Sequence, residues 1–274
     1  MCKKKQPYEH QRQSIDKIHF DFTEVNRVLF TLGTGGGKTF CFSTFASEFL
    51  EKGTYKRAIV CVDKEELLDQ AAAAINDVGL TVEMVTSTKR KLSHFADVYV
   101  CMIETAFNRL SKNKNFFKDV DVIIIDEAHI LKFDKIFEFF PETQKILGCT
   151  ATPVSTKRIN YFKCDICEEE YKDGGECCNE ELREWVKPFS LSLIYDRIVV
   201  GRDVDELIED GKLVPEFLFE PDYAHLENLK EDLNAENGFT EKSITEVYSD
   251  EEALLNVVLN YEEICKGKRT LIFN

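Results

Sequence analysis

A glycine-rich segment near the start of the chain has the residue types that bind phosphate. In order it contains Gly33, Thr34, Gly35, Gly36, Gly37, Lys38 and Thr39. Glycines let consecutive backbone N–H groups turn toward one phosphate, an approach that side chains would block. Lys38 offers a cation to the β- and γ-phosphates of a nucleotide, and Thr39 offers a hydroxyl to Mg²⁺. Leu32 stands where the strict motif has a small residue, and a purely structural glycine turn is the alternative. The Gly-Lys-Thr end favours an ATP-binding loop.

Two adjacent carboxylates follow an apolar run further along the chain. Asp126 and Glu127 come directly after residues 122–125, which are Val-Ile-Ile-Ile, and Ala-His follows them. Ligand sites of open α/β sheets lie at the carboxyl ends of strands, where this pair would stand. We expect Asp126 to bind Mg²⁺, mostly through water, because Mg²⁺ keeps much of its hydration shell. We expect Glu127 to be the base that orients and deprotonates an attacking water.

A third segment, residues 147–153, reads Leu-Gly-Cys-Thr-Ala-Thr-Pro. The run before Thr150 predicts a buried strand, and a proline ends regular structure after Thr152. An ordinary strand exit is the alternative reading of this segment by itself. Its place after the acidic pair predicts that Thr150 and Thr152 lie near His129 and couple the ATP site to another part of the protein.

The elements that would position these side chains alternate along the chain. Short apolar runs and helical patterns follow one another from residue 26 to 153, which predicts βαβ units and a parallel sheet. The predicted strands are 28–31, 57–62, 81–85, 98–103, 122–125 and 146–149, and the predicted helices are 38–51 and 65–78. Further on, we expect helices around 189–200, 204–209 and 251–265 and a strand at 270–273.

Charge divides the chain into two parts. The 274 residues carry a net charge of −15, made up of +2 in residues 1–160 and −17 in residues 161–274. The acidic part is therefore not expected to be the main phosphate-binding face. No apolar run approaches the ~20 residues of a membrane span, and the first residues lack the apolar stretch of a signal peptide. We expect a cytoplasmic protein, of a prokaryotic or virus-infected cell, without a membrane partner.

Four cysteines cluster in the acidic part, in contrast to the single cysteines inside apolar segments. They are Cys164, Cys167, Cys177 and Cys178. A C-x-x-C pair followed by two more thiolates could close a tetrahedral Zn²⁺ site and fold an insert too small for its own core. Reduced cysteines without a metal and an iron–sulfur cluster are the two alternatives.

Taken in order, the three motifs resemble those of superfamily 2 helicases, and more narrowly the branch of type III restriction subunits and of phage and repair helicases of the DEAH kind. The resemblance implies a RecA-like P-loop domain, ATP and Mg²⁺ as cofactors, and nucleic acid, DNA rather than RNA, as partner. Residues 7–11 resemble the adenine-reading segment of the family, with Gln11 as the amide that pairs with the base. Residues 102–106 resemble a motif that contacts nucleic-acid phosphates, for which Thr105 is the candidate.

The pattern along the chain, together with the resemblance, predicts a domain organisation. A RecA-like core would span residues 1–160, a cysteine-rich insert 161–188, a closing segment 189–221, an acidic linker 222–250, and the start of a second RecA-like domain 251–274. The arginine fingers of that second domain would follow Asn274, in the same or another chain. We therefore expect this chain alone to bind ATP, to hydrolyse it poorly and not to unwind.

Three functions are compatible with these residues. The first is an ATP-dependent helicase or translocase, of which the chain is the N-terminal half. The second is a P-loop ATPase that remodels protein–DNA complexes without separating strands. The third is a metal-stabilised binding module with a vestigial nucleotide site.

Overall fold

The structure of the chain is a computed structural model. It describes residues 5–51, 57–89, 91–130, 134–154, 158–164, 170–172, 182–188, 190–215, 255 and 258–267. The chain divides into two units, Met1–Val214 and Pro215–Asn274. Within the described part of the second unit, a π-helical turn spans Tyr261–Cys265, inside the helix predicted for 251–265. The elements below belong to the first unit.

A seven-stranded parallel sheet forms the centre of the first unit. Its strands are β1 (Arg27–Thr31), β2 (Ala58–Val62), β3 (Val82–Val85), β4 (Val98–Met102), β5 (Val122–Asp126), β6 (Lys145–Thr150) and β10 (Arg197–Val200). Their order in the sheet is β10-β1-β6-β5-β2-β4-β3. The central strands are buried on both faces, as their continuous apolar runs predict. The predicted α/β class and the first six predicted strands are confirmed.

Helices cover both faces of the sheet. They are α1 (Glu9–Asp21), α2 (Lys38–Glu51), α3 (Glu65–Asp77), α4 (Ile103–Lys112), α5 (Asp134–Phe137) and α6 (Val204–Glu209). One buried cluster joins the first three helices to the sheet through Ile15, Phe45 and Ile75. A second cluster, on the other face, includes Ile103 and Ile136 of α4 and α5. Because α2 begins at Lys38, the glycine segment lies between β1 and a helix N-terminus.

The predicted helix at 189–200 is wrong. A short 3-10 turn, Leu191–Leu193, is followed by strand β10, while residue 189 lies outside the described residues. Ile198, Val199 and Val200 are β-branched, which favours extended backbone. Their strand pairs in parallel with β1, so a tertiary contact with a distant strand decides the local structure. The predicted helix at 204–209 is confirmed as α6.

A second, three-stranded antiparallel sheet follows the first six strands. It consists of β7 (Arg158–Cys164), β8 (Glu170–Lys172) and β9 (Leu182–Pro188), in the order β8-β7-β9. Cys164 ends β7, but its side chain is not described, and Cys167, Cys177 and Cys178 lie outside the described residues. The predicted linker 222–250 and strand 270–273 also lie outside them. In the portions of the chain described, no helix has the length and apolar character of a membrane span.

Candidate active site

Three neighbouring strands bring the sequence motifs to one edge of the sheet. The glycine segment follows β1, Asp126 ends β5, and Thr150 ends β6, which lies between the other two. Thr31 is paired with Thr150, and Asp126 with Cys149. Because all three strands are parallel, their carboxyl ends meet at the same edge. Residues that are more than a hundred positions apart in the sequence, such as Gly33 and Thr150, therefore line one site.

The glycine segment adopts the turn that its composition predicts. Gly35 and Gly37 have φ angles of 82° and 90°, in the left-handed region that glycine tolerates. The backbone N–H of Gly36 donates to the Gly33 carbonyl oxygen at 2.9 Å. Thr34 is exposed, while Lys38 begins α2 and is half-buried. The loop thus ends at a helix N-terminus, where backbone N–H groups favour an anion.

The segment after β10 supports this loop from behind. The backbone N–H of Gly33 donates to the Arg202 carbonyl oxygen at 2.9 Å. A Cβ atom added to Gly33 would lie 2.9 Å from the backbone carbon of Asp203, and one added to Gly35 would lie 2.8 Å from Leu213 Cδ2. The sequence motifs did not reveal these supporting residues. Their only signal was the glycine content of the loop, which indicates close approach by other backbone.

Gln11 is buried and holds the end of the same loop. Its Nε2 donates to the Gly36 carbonyl oxygen at 2.9 Å, and its Oε1 accepts from the backbone N–H of Tyr8 at 2.9 Å. A Cβ atom on Gly37 would lie 2.7 Å from this Nε2. A side-chain amide has two N–H donors and two acceptor lone pairs, so it can make these two bonds and still pair with a base.

A cavity of about 520 Å³ lies on the same side of the loop as Gln11's helix. Gly37, Thr39 and Phe40 line it from the loop and from α2, and Pro7 and Arg12 line it from the chain around the start of α1. Its volume is in the range of small-molecule sites. The cavity therefore lies between the end of the glycine loop and the chain around the start of α1, next to the segment that contains Gln11.

Asp126 is buried at the end of β5, and its electrostatic surroundings include the loop lysine. Burial, followed by the nearby Glu127 charge, raises the pKa of Asp126 from 3.8 to about 6. Lys38 opposes this rise, so its ammonium lies close enough to Asp126 to favour the charged carboxylate. The Asp126 carboxylate and the Thr39 hydroxyl are oxygen ligands of the kind that Mg²⁺ prefers. A divalent cation would offset the cost of keeping this carboxylate ionised.

Glu127 has a strained backbone. Its φ angle is 52°, and it is the one non-glycine residue with positive φ in the part of the chain that the structure describes. The backbone N–H of Glu127 donates to Asp126 Oδ1 at 3.1 Å, and that of Ala128 donates to the Cys149 carbonyl oxygen at 2.9 Å. Strain of this kind persists only where surrounding structure enforces it, and it concentrates at functional sites.

A polar network connects Glu127 to the end of β6. His129 Nδ1 lies 3.3 Å from Glu127 Oε2 and 2.8 Å from Thr150 Oγ1. Thr150 Oγ1 donates to the Thr152 carbonyl oxygen at 2.9 Å and accepts from the Thr152 backbone N–H at 3.1 Å. The three residues predicted to couple the site to the rest of the protein therefore contact one another.

Thr105 lies apart from these residues. It is half-buried in the first turn of α4, which follows β4, and β2 separates β4 from β5 in the sheet. Thr105 is thus at the same edge of the sheet but outside the candidate active site. Among the residues the structure describes, no group of three or more His, Cys, Asp and Glu side chains could hold a metal ion. The four cysteines of the predicted zinc site are outside that search.

Comparison with known proteins is consistent with this architecture. The family model described as "Type III restriction enzyme, res subunit" matches residues 4–155, which contain the glycine loop, the carboxylate pair and the segment that ends β6. IRC3 of Saccharomyces cerevisiae, a candidate ATP-dependent helicase by its name, is 25% identical over 210 residues, covering 74% of this chain and 27% of IRC3. The type I restriction enzyme EcoAI endonuclease subunit of Escherichia coli is 27% identical over 188 residues, covering 63% of this chain and 23% of that subunit.

A solved structure shares the fold over a larger part of the chain. The ATP-dependent type ISP restriction-modification enzyme LlaBIII, solved bound to DNA, superposes with a TM-score of 0.53 and 15% identity, covering 76% of this chain and 16% of LlaBIII. This likeness indicates a common RecA-like fold. The chain spans about a quarter of the length of the two curated relatives described above.

Proposed function

Because the chain belongs to the family of the type III restriction enzyme res subunit, and with it to the superfamily 2 helicases, we propose that it binds Mg²⁺–ATP at the carboxyl edge of its sheet and hydrolyses it to move along or unwind nucleic acid. The observation that carries the proposal is the meeting of Lys38, Asp126 and Glu127 at this edge. ATP and Mg²⁺ are typical cofactors of the family. The assignment to the DEAH subtype is part of the proposal.

Nucleotide binding is assigned to the glycine loop and the adjoining cavity. The backbone N–H groups of the loop, residues Gly33, Thr34, Gly35, Gly36 and Gly37, would surround the phosphates. Lys38 would neutralise the β- and γ-phosphates, and Gln11 would hydrogen-bond adenine while keeping its bond to the loop. This arrangement supports the proposal because one amide would then sense the base and fix the phosphate loop.

Hydrolysis is assigned to the carboxylate pair. Thr39 and Asp126 would hold Mg²⁺, which supplies charge neutralisation on the phosphate oxygens. Glu127 would orient the attacking water and accept its proton. The strained backbone at Glu127 and the contact with His129 fix the carboxylate before a nucleotide arrives.

Coupling and nucleic-acid contact are assigned to the rest of the same edge. His129, Thr150 and Thr152 would relay changes at Glu127 to the end of β6, and Thr105 would contact backbone phosphate. We propose DNA as the polymer, because LlaBIII, which shares the fold, was solved bound to DNA. Superfamily 2 motors use two RecA-like domains, so we propose that a second such domain completes the site.

Zinc binding by the cysteine-rich segment remains a separate proposal. Cys164, Cys167, Cys177 and Cys178 are the ligands we propose, on the strength of the C-x-x-C spacing. Metal analysis of the purified protein, with Cys164→Ser as comparison, tests it. Stoichiometric zinc in the wild type that is lost in the variant would support the site, and an equal metal content in both would contradict it.

The experiment for the main proposal separates binding from hydrolysis. ATP affinity of this chain is measured with a fluorescent ATP analogue in the wild type, Lys38→Ala and Glu127→Gln. Hydrolysis is measured for the same three by phosphate release, with and without DNA, in protein that also carries the proposed second RecA-like domain. We expect Lys38→Ala to lose ATP binding, because its ammonium contacts the phosphates. We expect Glu127→Gln to bind ATP but to lose at least about a hundredfold in hydrolysis, a usual contribution of a general base. Unchanged ATP affinity in Lys38→Ala would overturn the proposal.

A further inference from the structure

A group of basic, polar and aromatic side chains lies at the edge of the sheet opposite the candidate active site. A cavity of about 250 Å³ is lined there by residues that precede β4 and β5, and among them are Lys91, His94, Asn113, Asn115 and Lys118. Phe95 adjoins His94 in the chain. These six residues are called the amino-edge patch below, because they precede strands that run toward the active site.

The ring of Phe95 is held out in solvent by a well-fixed loop. Phe95 is 91% exposed, the highest value among the exposed large apolar side chains of the described residues. Arg57 Nη2 donates to the His94 carbonyl oxygen at 2.7 Å, and Thr81 Oγ1 donates to the Phe95 carbonyl oxygen at 2.9 Å. The Phe95 backbone N–H donates to Ser93 Oγ at 3.2 Å. Since the backbone on both sides is hydrogen-bonded, the ring leaves the surface from a fixed point of the chain.

Exposed lysines lie in and beside the cavity that His94, the chain neighbour of Phe95, helps to line. Lys91 and Lys118 are exposed, and two further exposed lysines, at positions 112 and 114, adjoin Asn113 in the chain. The acidic side chain that lines the same cavity, Asp119, lies 4.0 Å from the Arg57 guanidinium. The cavity therefore combines exposed cations with amides, in a protein whose net charge is −15. Cations alternating with aromatic rings are the pattern that single-stranded nucleic acids bind.

We propose that the amino-edge patch binds a single-stranded segment of nucleic acid, with a base stacked on Phe95 and phosphates paired with Lys91 and Lys118. The inference rests on the proposed function insofar as it takes nucleic acid as the polymer that the motor acts on. Strands of five residues separate the patch from the carboxyl edge by about 16 Å. The patch is therefore a second contact, distinct from the one assigned to Thr105, and it would hold a strand that the motor is not moving or has already passed.

The stacking half of the proposal is tested by removing the ring. Binding of a fluorescein-labelled oligothymidylate to the full chain is measured by anisotropy for the wild type, Phe95→Ala and the matched control Phe20→Ala, whose ring is 55% exposed on α1. We expect Phe95→Ala to weaken binding about tenfold, because stacking on one aromatic ring contributes about that much. The control is expected to bind as the wild type does. Equal affinities for Phe95→Ala and Phe20→Ala would overturn the proposal.

The charge half is tested by the salt dependence of the same binding reaction. Each lost phosphate contact lowers the slope of log affinity against log salt by about 0.7 for a single strand, so Lys91→Glu combined with Lys118→Glu should lower it by about 1.4. Lys266→Glu, an exposed lysine of the second unit, is the control for added negative charge and should leave the slope unchanged. An unchanged slope in the double variant would contradict the phosphate contacts.

ATP binding, measured in the same preparations, separates this inference from the proposed function. Lys38→Ala should abolish ATP binding and leave oligothymidylate affinity in the absence of nucleotide intact. If the wild type binds both ATP and oligothymidylate, and the patch variants bind oligothymidylate as tightly as the wild type, the patch alone is refuted. Wild-type protein that binds no nucleic acid at any salt concentration would refute the proposed function together with the patch.

Discussion

His129 Nδ1 lies 2.8 Å from Thr150 Oγ1, so a side chain that follows β5 is hydrogen-bonded to one at the end of β6. Thr150 is fully buried, and its hydroxyl also bonds to the backbone of Thr152. The imidazole of His129 is in turn 3.3 Å from the Glu127 carboxylate. A change in the charge or position of Glu127 during hydrolysis would reach the segment after β6 through two short contacts.

Replacing Thr150 by valine tests this relay. Thr150→Val keeps the shape of the side chain but removes the hydroxyl, so His129 and the Thr152 N–H each lose a partner. In protein that also carries the proposed second RecA-like domain, we expect ATP affinity to stay unchanged and DNA-stimulated hydrolysis to fall about tenfold, the usual effect of one buried hydrogen bond on a rate. Thr150→Ser, which keeps the hydroxyl, is the control. Full stimulation in Thr150→Val would show that the contact has no part in coupling.

Alanine substitutions of Gly37, the loop glycine beside Gln11, and of Gly211 form a matched pair. Gly37 and Gly211 both have positive φ, 90° and 65°, but a Cβ atom meets Gln11 Nε2 at 2.7 Å in the first case and nothing within 4 Å in the second. We expect Gly211→Ala to lower the free energy of unfolding by about 1 to 2 kcal/mol, the backbone cost alone.

Gly37→Ala should lower the free energy of unfolding by at least as much as Gly211→Ala does. It should also weaken ATP binding more than about tenfold, since the displaced Gln11 amide loses a hydrogen bond to the loop. Urea unfolding and titration with a fluorescent ATP analogue provide the two measurements. Similar ATP affinity in the two alanine variants would mean that Gln11 does not hold the loop for binding.

The buried carboxylate of Asp126 predicts a conflict between stability and activity. Its pKa is raised from 3.8 to about 6, so the stability that protonation provides is complete below pH 3.8 and is lost as the pH rises through about 6. In protein treated with a chelator at pH 8, Asp126→Asn should therefore unfold at higher urea concentration, with a gain of up to about 3 kcal/mol. The same variant should lose hydrolysis, because it lacks a ligand for Mg²⁺.

The pH dependence distinguishes this effect from general stabilisation. The increase in the free energy of unfolding of Asp126→Asn over the wild type should be small near pH 4, grow up to about pH 6 and then stay constant. Asp69→Asn, an exposed aspartate on α3, is the control and should show no such rise. A gain that is the same at every pH would indicate a cause other than the ionisation of Asp126.

An ion-pair group between α1 and α2 predicts the opposite pH dependence. Burial alone would raise the pKa of Glu48, but hydrogen bonds from Arg12 at 2.5 and 3.0 Å and a contact with His19 at 3.0 Å outweigh it, so the pKa is lowered from 4.5. The ionised carboxylate thus stabilises the fold above pH 4.5, and this contribution is lost as the pH falls through the lowered pKa.

We expect Glu48→Gln to reduce the free energy of unfolding at pH 7 by about 1 kcal/mol, since the pair is partly exposed. The difference from the wild type should shrink as the pH falls below 4.5, and thermal unfolding at several pH values measures it. Glu51→Gln, at the exposed end of the same helix, is the control. A larger loss at low pH than at pH 7 would contradict the assigned cause.

The sequence predicted the centre of the fold well because local signals there agree with the tertiary structure. Helix α2 begins and ends at the predicted residues, Lys38 and Glu51, where a glycine loop precedes it and Gly53 follows soon after. Strand β5 follows from a continuous apolar run and β6 from a mostly apolar one, each of the length of a strand buried on both faces. These elements fix the carboxyl edge where the candidate active site lies.

The same reasoning failed where a distant partner decides the structure. Residues 197–200 form a strand because they pair with β1, and the sequence around them does not predict this pairing. The contacts of Arg202 and Leu213 with the glycine loop depend on the same pairing, because β10 brings the following segment beside the loop. Tyr195, just before β10, is a further example: its Cζ would lie 2.5 Å from a Cβ atom on Gly148 of β6, a contact that spacing alone does not predict.

Because Glu127 has a positive φ angle, the backbone conformation that positions its carboxylate has a free-energy cost, and that cost is met when the chain folds. The residue follows a strand whose members are entirely buried, and its neighbour Ala128 is anchored to β6, so neither side can shift to relax the turn. The unfavourable conformation is thus established once, as the chain folds, and is not renewed in each catalytic cycle. Little reorganisation then remains for the turnover itself, a condition that favours rapid response to each nucleotide bound.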